Sequence, residues 1–236
     1  MDPKTTTILD IGCGNGISCI SFALEGFQVI AVEPDPSDTI GAGAIRKLKE
    51  HYQLNNIEIL ESYAEDIKFD SNSFDVVYVR QAMHHANDLT KFTGECGRVV
   101  KNGGLLLTIR DHVIFDVKDK EWFLESHPLH KFYGGENAYK PEEYESAIKN
   151  AGMTITHKLK FYDSVINYFP VTTEELESKE KQELENIKQQ LTNKIGLFSN
   201  LPFALSWFKN RLNFPNYLYD EKMTPGRMYS YISVKK

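Results

Sequence analysis

Within the first 35 residues, an acid, three glycines and a second acid fall at spacings that suit a ligand-binding turn. Asp10, Gly12, Gly14 and Gly16 stand in DIGCGNG, between an apolar run and a helical pattern, and Glu33 closes the next apolar run. Gly12 and Gly14 let the backbone approach a ligand where a Cβ would collide, and the helix behind them offers unpaired N–H groups. A dinucleotide fingerprint requires glycine at position 17, where this chain has Ile17. No Gly-Lys-Ser/Thr follows to make a phosphate-binding loop. Asp10 beside a ligand suits a cationic group better than a pyrophosphate. Glu33 can accept from both hydroxyls of a ribose. An isolated Glu there would be a solvated loop acid; the glycine turn tips the reading to ribose.

These residues need a strand–turn–helix–strand frame, and the apolar pattern supplies one. Residues 6–11 read as a buried strand, and Ile17, Ile20, Ala23 and Leu24 follow at helical spacing. Residues 28–33, 57–62, 74–80 and 104–110 read as further strands. Between them lie helical patterns at 37–52, weakened by Gly41 and Gly43, and at 87–101, ended by KNGG as glycine caps end helices. Residues 140–152 form another helix with Pro141 near its start, and 153–162 return as a strand. This alternation implies a largely parallel sheet with helices on both faces. After Pro170 the pattern changes. A charged helix over 172–195 and an aromatic segment over 201–219 read as a helical insertion at 172–219, set before a final edge strand at 227–236 in one domain spanning 1–236.

Composition bounds the function. The chain has 236 residues, 25% charged and 41% hydrophobic, which fits a folded globular protein. A formal charge of −6 argues against broad nucleic-acid binding. Cys13, Cys19 and Cys96 form no CxxC pair, as expected of reduced thiols in a cytoplasmic protein. No apolar run approaches the ~20 residues of a membrane span, and MDPKTTT has no signal-peptide core.

Taken in order, the motifs resemble class I S-adenosylmethionine-dependent methyltransferases, closest to the ubiquinone and menaquinone biosynthesis branch. LDIGCGNG (9–16) is similar to the family's first motif and AVEPD (31–35) to its second. Residues 63–85, ending in MHH, resemble the adenine segment and fourth strand, and 95–112 the helix, turn and fifth strand that follow. The resemblance implies a Rossmann-like seven-stranded sheet, mostly parallel, with an antiparallel last strand. It implies S-adenosyl-L-methionine as cofactor and S-adenosyl-L-homocysteine as product. Carried over by position, Asp10, Gly12 and Gly14 flank the methionyl end, and Glu33 binds ribose. Ala64 with Glu65, or Asp66 as the alternative acid, reaches adenine; Arg80 and Gln81 lie near the methionine amino group. Relatives often read Gly-Asp-Ala where this chain has Ser62-Tyr63-Ala64. They also carry a helix before the first strand, where this sequence has about five residues. Either the chain is truncated or the 172–219 insertion serves as a lid.

Methyl transfer from a sulfonium is an in-line displacement with an activated donor, so alignment carries most of it. A base adds about 10²–10⁴-fold where the acceptor must lose a proton. His112, after the fifth strand, is the preferred base; His85, after the fourth, is the second choice. For His84 and His85 the competing reading is packing or capping of a helix start. Arg110 lies at the same sheet edge. The stretch HPLHKFYGGENAY (127–139) is where the family places acceptor contacts, which nominates His127, His130, Tyr133, Asn137 and Tyr139. His127 and His130 have a spacing that metals use, but Pro128 interrupts the helix and nothing completes a site, so no metal is expected. Phe203, Trp207, Phe208, Phe214, Tyr217 and Tyr219 would cover a planar acceptor or pack on the sheet. The expected activity is methyl transfer to the oxygen, nitrogen or carbon of a small-molecule acceptor. The alternative is a non-catalytic binder of the same cofactor. An NAD-dependent oxidoreductase is disfavoured by Ile17.

Overall fold

A computed structural model describes residues 1–126, 137–196, 202–214, 216, 218–224 and 226–236. Its chain runs β1 (Thr7–Ile11), α1 (Ile17–Leu24), β2 (Gln28–Val32), α2 (Ala42–His51), β3 (Ile57–Leu60) and β4 (Phe74–Arg80). Then come α3 (Leu89–Val99), β5 (Val100–His112), α4 (Val117–Ser126), α5 (Pro141–Asn150) and β6 (Met153–Leu159). The last elements are α6 (Val165–Tyr168), α7 (Thr173–Ile195), α8 (Pro202–Arg211) and β7 (Met228–Lys235). The strands form one seven-stranded sheet in the order β3-β2-β1-β4-β5-β7-β6. β7 alone runs antiparallel, to both of its neighbours, and every other pairing is parallel.

Alternation along the strands divides the core between the two faces. Leu9, Ile11, Val32, Val77 and Val79 pack on one side with Phe92 and Cys96 of α3 and Tyr144 and Ile148 of α5. Val29, Ala31 and Ile57 pack on the other with Cys19, Ile20 and Ala23 of α1 and Ile45 of α2. Sequence signals set several element ends. Asp88 caps α3 by accepting from the Lys91 N–H at 2.9 Å. Thr172 and Glu175 exchange bonds across the first turn of α7 at 3.2 and 2.8 Å.

Four expectations need correction. The last strand is not at the edge, since β7 lies between β5 and β6, and β6 is the edge strand. KNGG does not cap α3. The helix ends at Val99, and β5 starts at Val100, which pairs with Phe74. The register then jumps, so that Val76 pairs with Leu105, and Gly103 takes φ +76 within that excursion. Nor does the helix of 37–52 start so early. α2 starts only at Ala42, which leaves Gly43 in its first turn and Gly41 at its N-cap, where a Cβ would lie 2.1 Å from the Asp35 carbonyl oxygen. Finally, α8 leaves Phe203 and Trp207 largely exposed, with the Arg211 guanidinium stacked 5.4 Å from the Trp207 ring. α4 and α6 lie where the pattern was silent. Among the described residues, no helix is long and apolar enough to cross a membrane.

Candidate functional site

In a parallel sheet, the crevice outside the carboxyl ends of the strands opens where the strand order reverses. Here that point falls between β1 and β4, and a cavity of ≈ 490 Å³ occupies it. Gly12 and Gly14 line it from the first turn, Glu33 from the end of β2, Ala64 and Glu65 from the segment after β3, and Gln81 and His85 from the end of β4. Thus seven of the residues singled out in the sequence meet in one recess.

The glycine turn is built for close approach. Gly12 has φ +66, and a Cβ there would sit 2.6 Å from the Ala82 Cβ, so its first reason for being glycine is strand-to-turn packing. Its N–H donates to the Val32 carbonyl at 2.8 Å. The Gly14 N–H donates to Glu33 Oε2 at 2.7 Å, and the Asp35 N–H donates to Oε1 at 3.0 Å. Each Glu33 oxygen keeps further acceptor capacity toward the cavity. Burial raises the Glu33 carboxyl above its ordinary range, against the opposing pull of those two N–H groups.

Other expected residues are placed elsewhere. Asp10 is buried beneath the turn and does not line the cavity; its Oδ2 accepts from the Ser18 hydroxyl at 2.6 Å and its Oδ1 has no hydrogen-bond partner. Burial pushes its pKa up to about 7, while the Ser18 bond and Arg80 pull the other way. Cys13 and Cys19 have sulfurs close to Asp10, yet each thiol donates to a backbone carbonyl, Val32 and Gly16 respectively. Asp66 is exposed and ion-paired with Lys68, which leaves Glu65 as the acid on the cavity; Glu65 Oε1 accepts from the Asn87 N–H at 3.3 Å. Arg80 and Arg110 line a second, separate cavity.

The histidines divide in the same way. His85 lines the cavity. His84 is buried, and its Nδ1 lies 3.1 Å from Asp111 Oδ1, itself buried. His112, the preferred base on sequence grounds, does not line the cavity. Its Nδ1 bonds the Gly226 carbonyl at 3.0 Å, and its ring packs against Phe123 and His84 with centroids 4.8 and 4.9 Å away. Asn137 and Tyr139 do not line it either. Asn137 Nδ2 and Tyr139 Oη both donate to the Ala86 carbonyl, at 3.0 and 2.7 Å, and so brace the turn that carries His85. His127, His130 and Tyr133 lie outside the described residues, as does Tyr217. No described residue of 172–219 lines the cavity. Tyr219 instead donates to Glu180 Oε2 at 3.1 Å.

Sequence reasoning missed the apolar walls. Ile40, Tyr63 and Phe92 line the recess and give a flat group a surface to lie on. Tyr63 was visible only as a neighbour of Ala64, and Phe92 only as an unremarked residue of the helical pattern at 87–101.

Comparison with known proteins agrees with this arrangement. Residues 9–108, less than half of the chain, match a family model described as a methyltransferase domain. A ubiquinone biosynthesis O-methyltransferase of Bradyrhizobium sp. (strain ORS 278) is 34% identical over 104 residues, 42% of this chain and 38% of that one. Its counterpart in Mesorhizobium japonicum is 29% identical over 155 residues, 63% of this chain and 59% of that one. The chain therefore spans between 38% and 59% of the length of these two relatives. Among solved structures, geranyl diphosphate C-methyltransferase from Streptomyces coelicolor A3(2) superposes with a TM-score of 0.66 at 14% identity, covering 100% of this chain and 74% of that one. The cyclase SpnF superposes with a TM-score of 0.61 at 17% identity, covering 98% and 74%. At such identities the structures speak for the fold, which serves more than one chemistry.

Proposed function

We propose that this chain, whose residues 9–108 match a methyltransferase-domain model, transfers the methyl group of S-adenosylmethionine to a small-molecule acceptor. One observation carries the reading: the glycine turn, the Glu33 carboxylate and the Ala64–Glu65 segment converge on one apolar-walled cavity at the switch point of the sheet. The donors and acceptors there fit the cofactor. Glu33, already fixed by two backbone N–H groups, accepts from the ribose hydroxyls. Glu65 accepts from the adenine amine, while Tyr63, Ile40 and Phe92 cover the planar base. Gly12 and Gln81 border the methionyl end, and buried Asp10 lies behind the turn as an acid that a nearby cation would ionise. When bound, the cofactor supplies a methyl group on an already activated sulfonium.

The remaining work of the protein is alignment, exclusion of water and removal of a proton. We assign the last of these to His85, a reading supported by its position on the cavity and on a turn held by Asn137 and Tyr139. Its ring lies 4.1 Å, centroid to centroid, from that of His84, which Asp111 fixes. An oxygen acceptor follows the names of the curated relatives, both O-methyltransferases. The test is turnover: the full chain is incubated with S-adenosylmethionine and a panel of phenols, catechols and alcohols, and S-adenosylhomocysteine release is measured by mass spectrometry. Acceptor-dependent release supports the reading. Release on no acceptor by a chain that binds the cofactor contradicts it. His85→Gln should lower turnover about 10²–10³-fold while leaving cofactor affinity within about twofold.

A further inference from the structure

A second cavity, of ≈ 400 Å³, lies beside the first but has a different lining. Tyr78 and Ile109 come from the sheet, and Val165, Ile166 and Phe169 from α6 and the residue after it. Those three side-chain positions are largely solvent-exposed, so the apolar surface faces outward and is open to a ligand. Two arginines, Arg80 and Arg110, complete the lining.

The backbone has been bent to put Arg110 there. Strict alternation would send Ile109 and Arg110 to opposite faces of β5. Against β7, however, Thr108 pairs with Tyr231 and Asp111 with Tyr229, so two residues of β5 oppose Ser230 alone. This is a β-bulge, which re-aims the side chain it carries. Arg110 takes φ +61, and its N–H donates to the Ser230 hydroxyl at 3.0 Å. A left-handed backbone at a non-glycine residue is uncommon and is held in place only by its surroundings. The guanidinium Nη1 and Nη2 donate to the carbonyls of Ile166 and Phe169, while the buried Nε has no partner among the described residues.

Arg80 completes the imbalance. Its guanidinium makes no hydrogen bond or ion pair among the described residues, and burial together with the positive charge of Arg80 lowers the pKa of Arg110. Asp10 is an acid that senses Arg80, but it lies outside this lining. Two cations therefore face one apolar recess whose lining holds no acid. Such a recess favours an anion. Arg110 has spent its fork on backbone carbonyls, which leaves one free guanidinium, that of Arg80. One planar fork matches one carboxylate, and the apolar wall matches an apolar body attached to it.

We propose that this cavity binds an amphipathic organic acid, its carboxylate on Arg80 and its hydrocarbon portion along Ile109, Val165, Ile166 and Phe169. Because Arg80 directly precedes Gln81 of the first cavity, such a ligand sits next to the proposed methyl donor. As a substrate class, apolar carboxylic acids deepen the methyltransferase reading and rest on it; as a binding site, the cavity stands alone.

Calorimetry of the full chain without cofactor tests the binding site, with decanoate, decanol and decyl phosphate as probes. Decanoate is expected to bind, decanol at least tenfold more weakly, and Arg80→Gln to weaken decanoate at least tenfold without changing the melting temperature. Absence of decanoate binding overturns the proposal, as does equal binding by Arg80→Gln or by decanol. Decyl phosphate binding more tightly than decanoate also overturns it, in favour of a phosphate site. A chain that binds S-adenosylhomocysteine but not decanoate sinks this inference alone. One that binds decanoate but not S-adenosylhomocysteine sinks the cofactor assignment and leaves the acid site standing.

Discussion

The Gly14 N–H donates to the Glu33 carboxylate at 2.7 Å, tying the turn after β1 to the end of β2. Two segments 19 residues apart in sequence thereby set the shape of one cavity wall. The bond also fixes the carboxylate before any ligand arrives, which reduces the ordering cost of binding.

Gly12→Ala should destabilise the protein by roughly 2–4 kcal/mol, from the strain of a left-handed alanine and from overpacking. The added Cβ would lie 2.6 Å from that of Ala82. The double variant Gly12→Ala, Ala82→Gly should recover the steric part and not the backbone part. Urea unfolding of the parent, Gly12→Ala, Ala82→Gly and the double variant checks this, and full additivity of the two single changes would refute the contact.

Asp10 sets a pH dependence of stability. Its pKa is about 7 in the folded chain, against 3.8 for a free side chain. As pH rises from about 4 to 7, the unfolded chain gives up this proton before the folded one does. Stability therefore falls across that window and levels off above it. Three units correspond to on the order of 4 kcal/mol at most. Asp10→Asn keeps an acceptor for the Ser18 hydroxyl and removes the titration. Its melting temperature should exceed that of the parent at pH 8 and converge with it near pH 4. Parallel melting curves at all pH values would contradict the assignment.

Arg227 and Asp119 join the start of β7 to α4. The guanidinium, 1% exposed, meets both carboxylate oxygens, and Asp119 Oδ2 also accepts the Phe115 N–H at 2.7 Å. Arg227→Met leaves Asp119 without its counter-charge and should cost about 3–5 kcal/mol. Chemical denaturation reads this directly, and a loss under 1 kcal/mol would show the pair to be solvated.

Local signals were the most legible part of the sequence. β4 falls on its predicted residues, and the glycine turn and Glu33, singled out by type and spacing, line one cavity. What the sequence hid depends on non-local pairing. The bulge at Ile109–Arg110 brings two successive residues to one cavity, and it lies in the pairing of β5 with β7, which enters between β5 and β6. The same holds for Asn137 and Tyr139, nominated as acceptor contacts and found bracing Ala86, some fifty residues earlier. His112 has the right chemistry at the right strand end, but Gly226, far along the chain, takes up its Nδ1.

The central claim, that the glycine turn and Glu33 hold S-adenosylmethionine, is tested most directly by titration calorimetry of S-adenosylhomocysteine into the full chain and into Glu33→Gln. One site is expected on the parent protein. Affinity is expected to be at least tenfold weaker in Glu33→Gln, where an amide replaces the carboxylate proposed to accept the ribose hydroxyls. No binding to the folded parent, or the same affinity in both proteins, would contradict it.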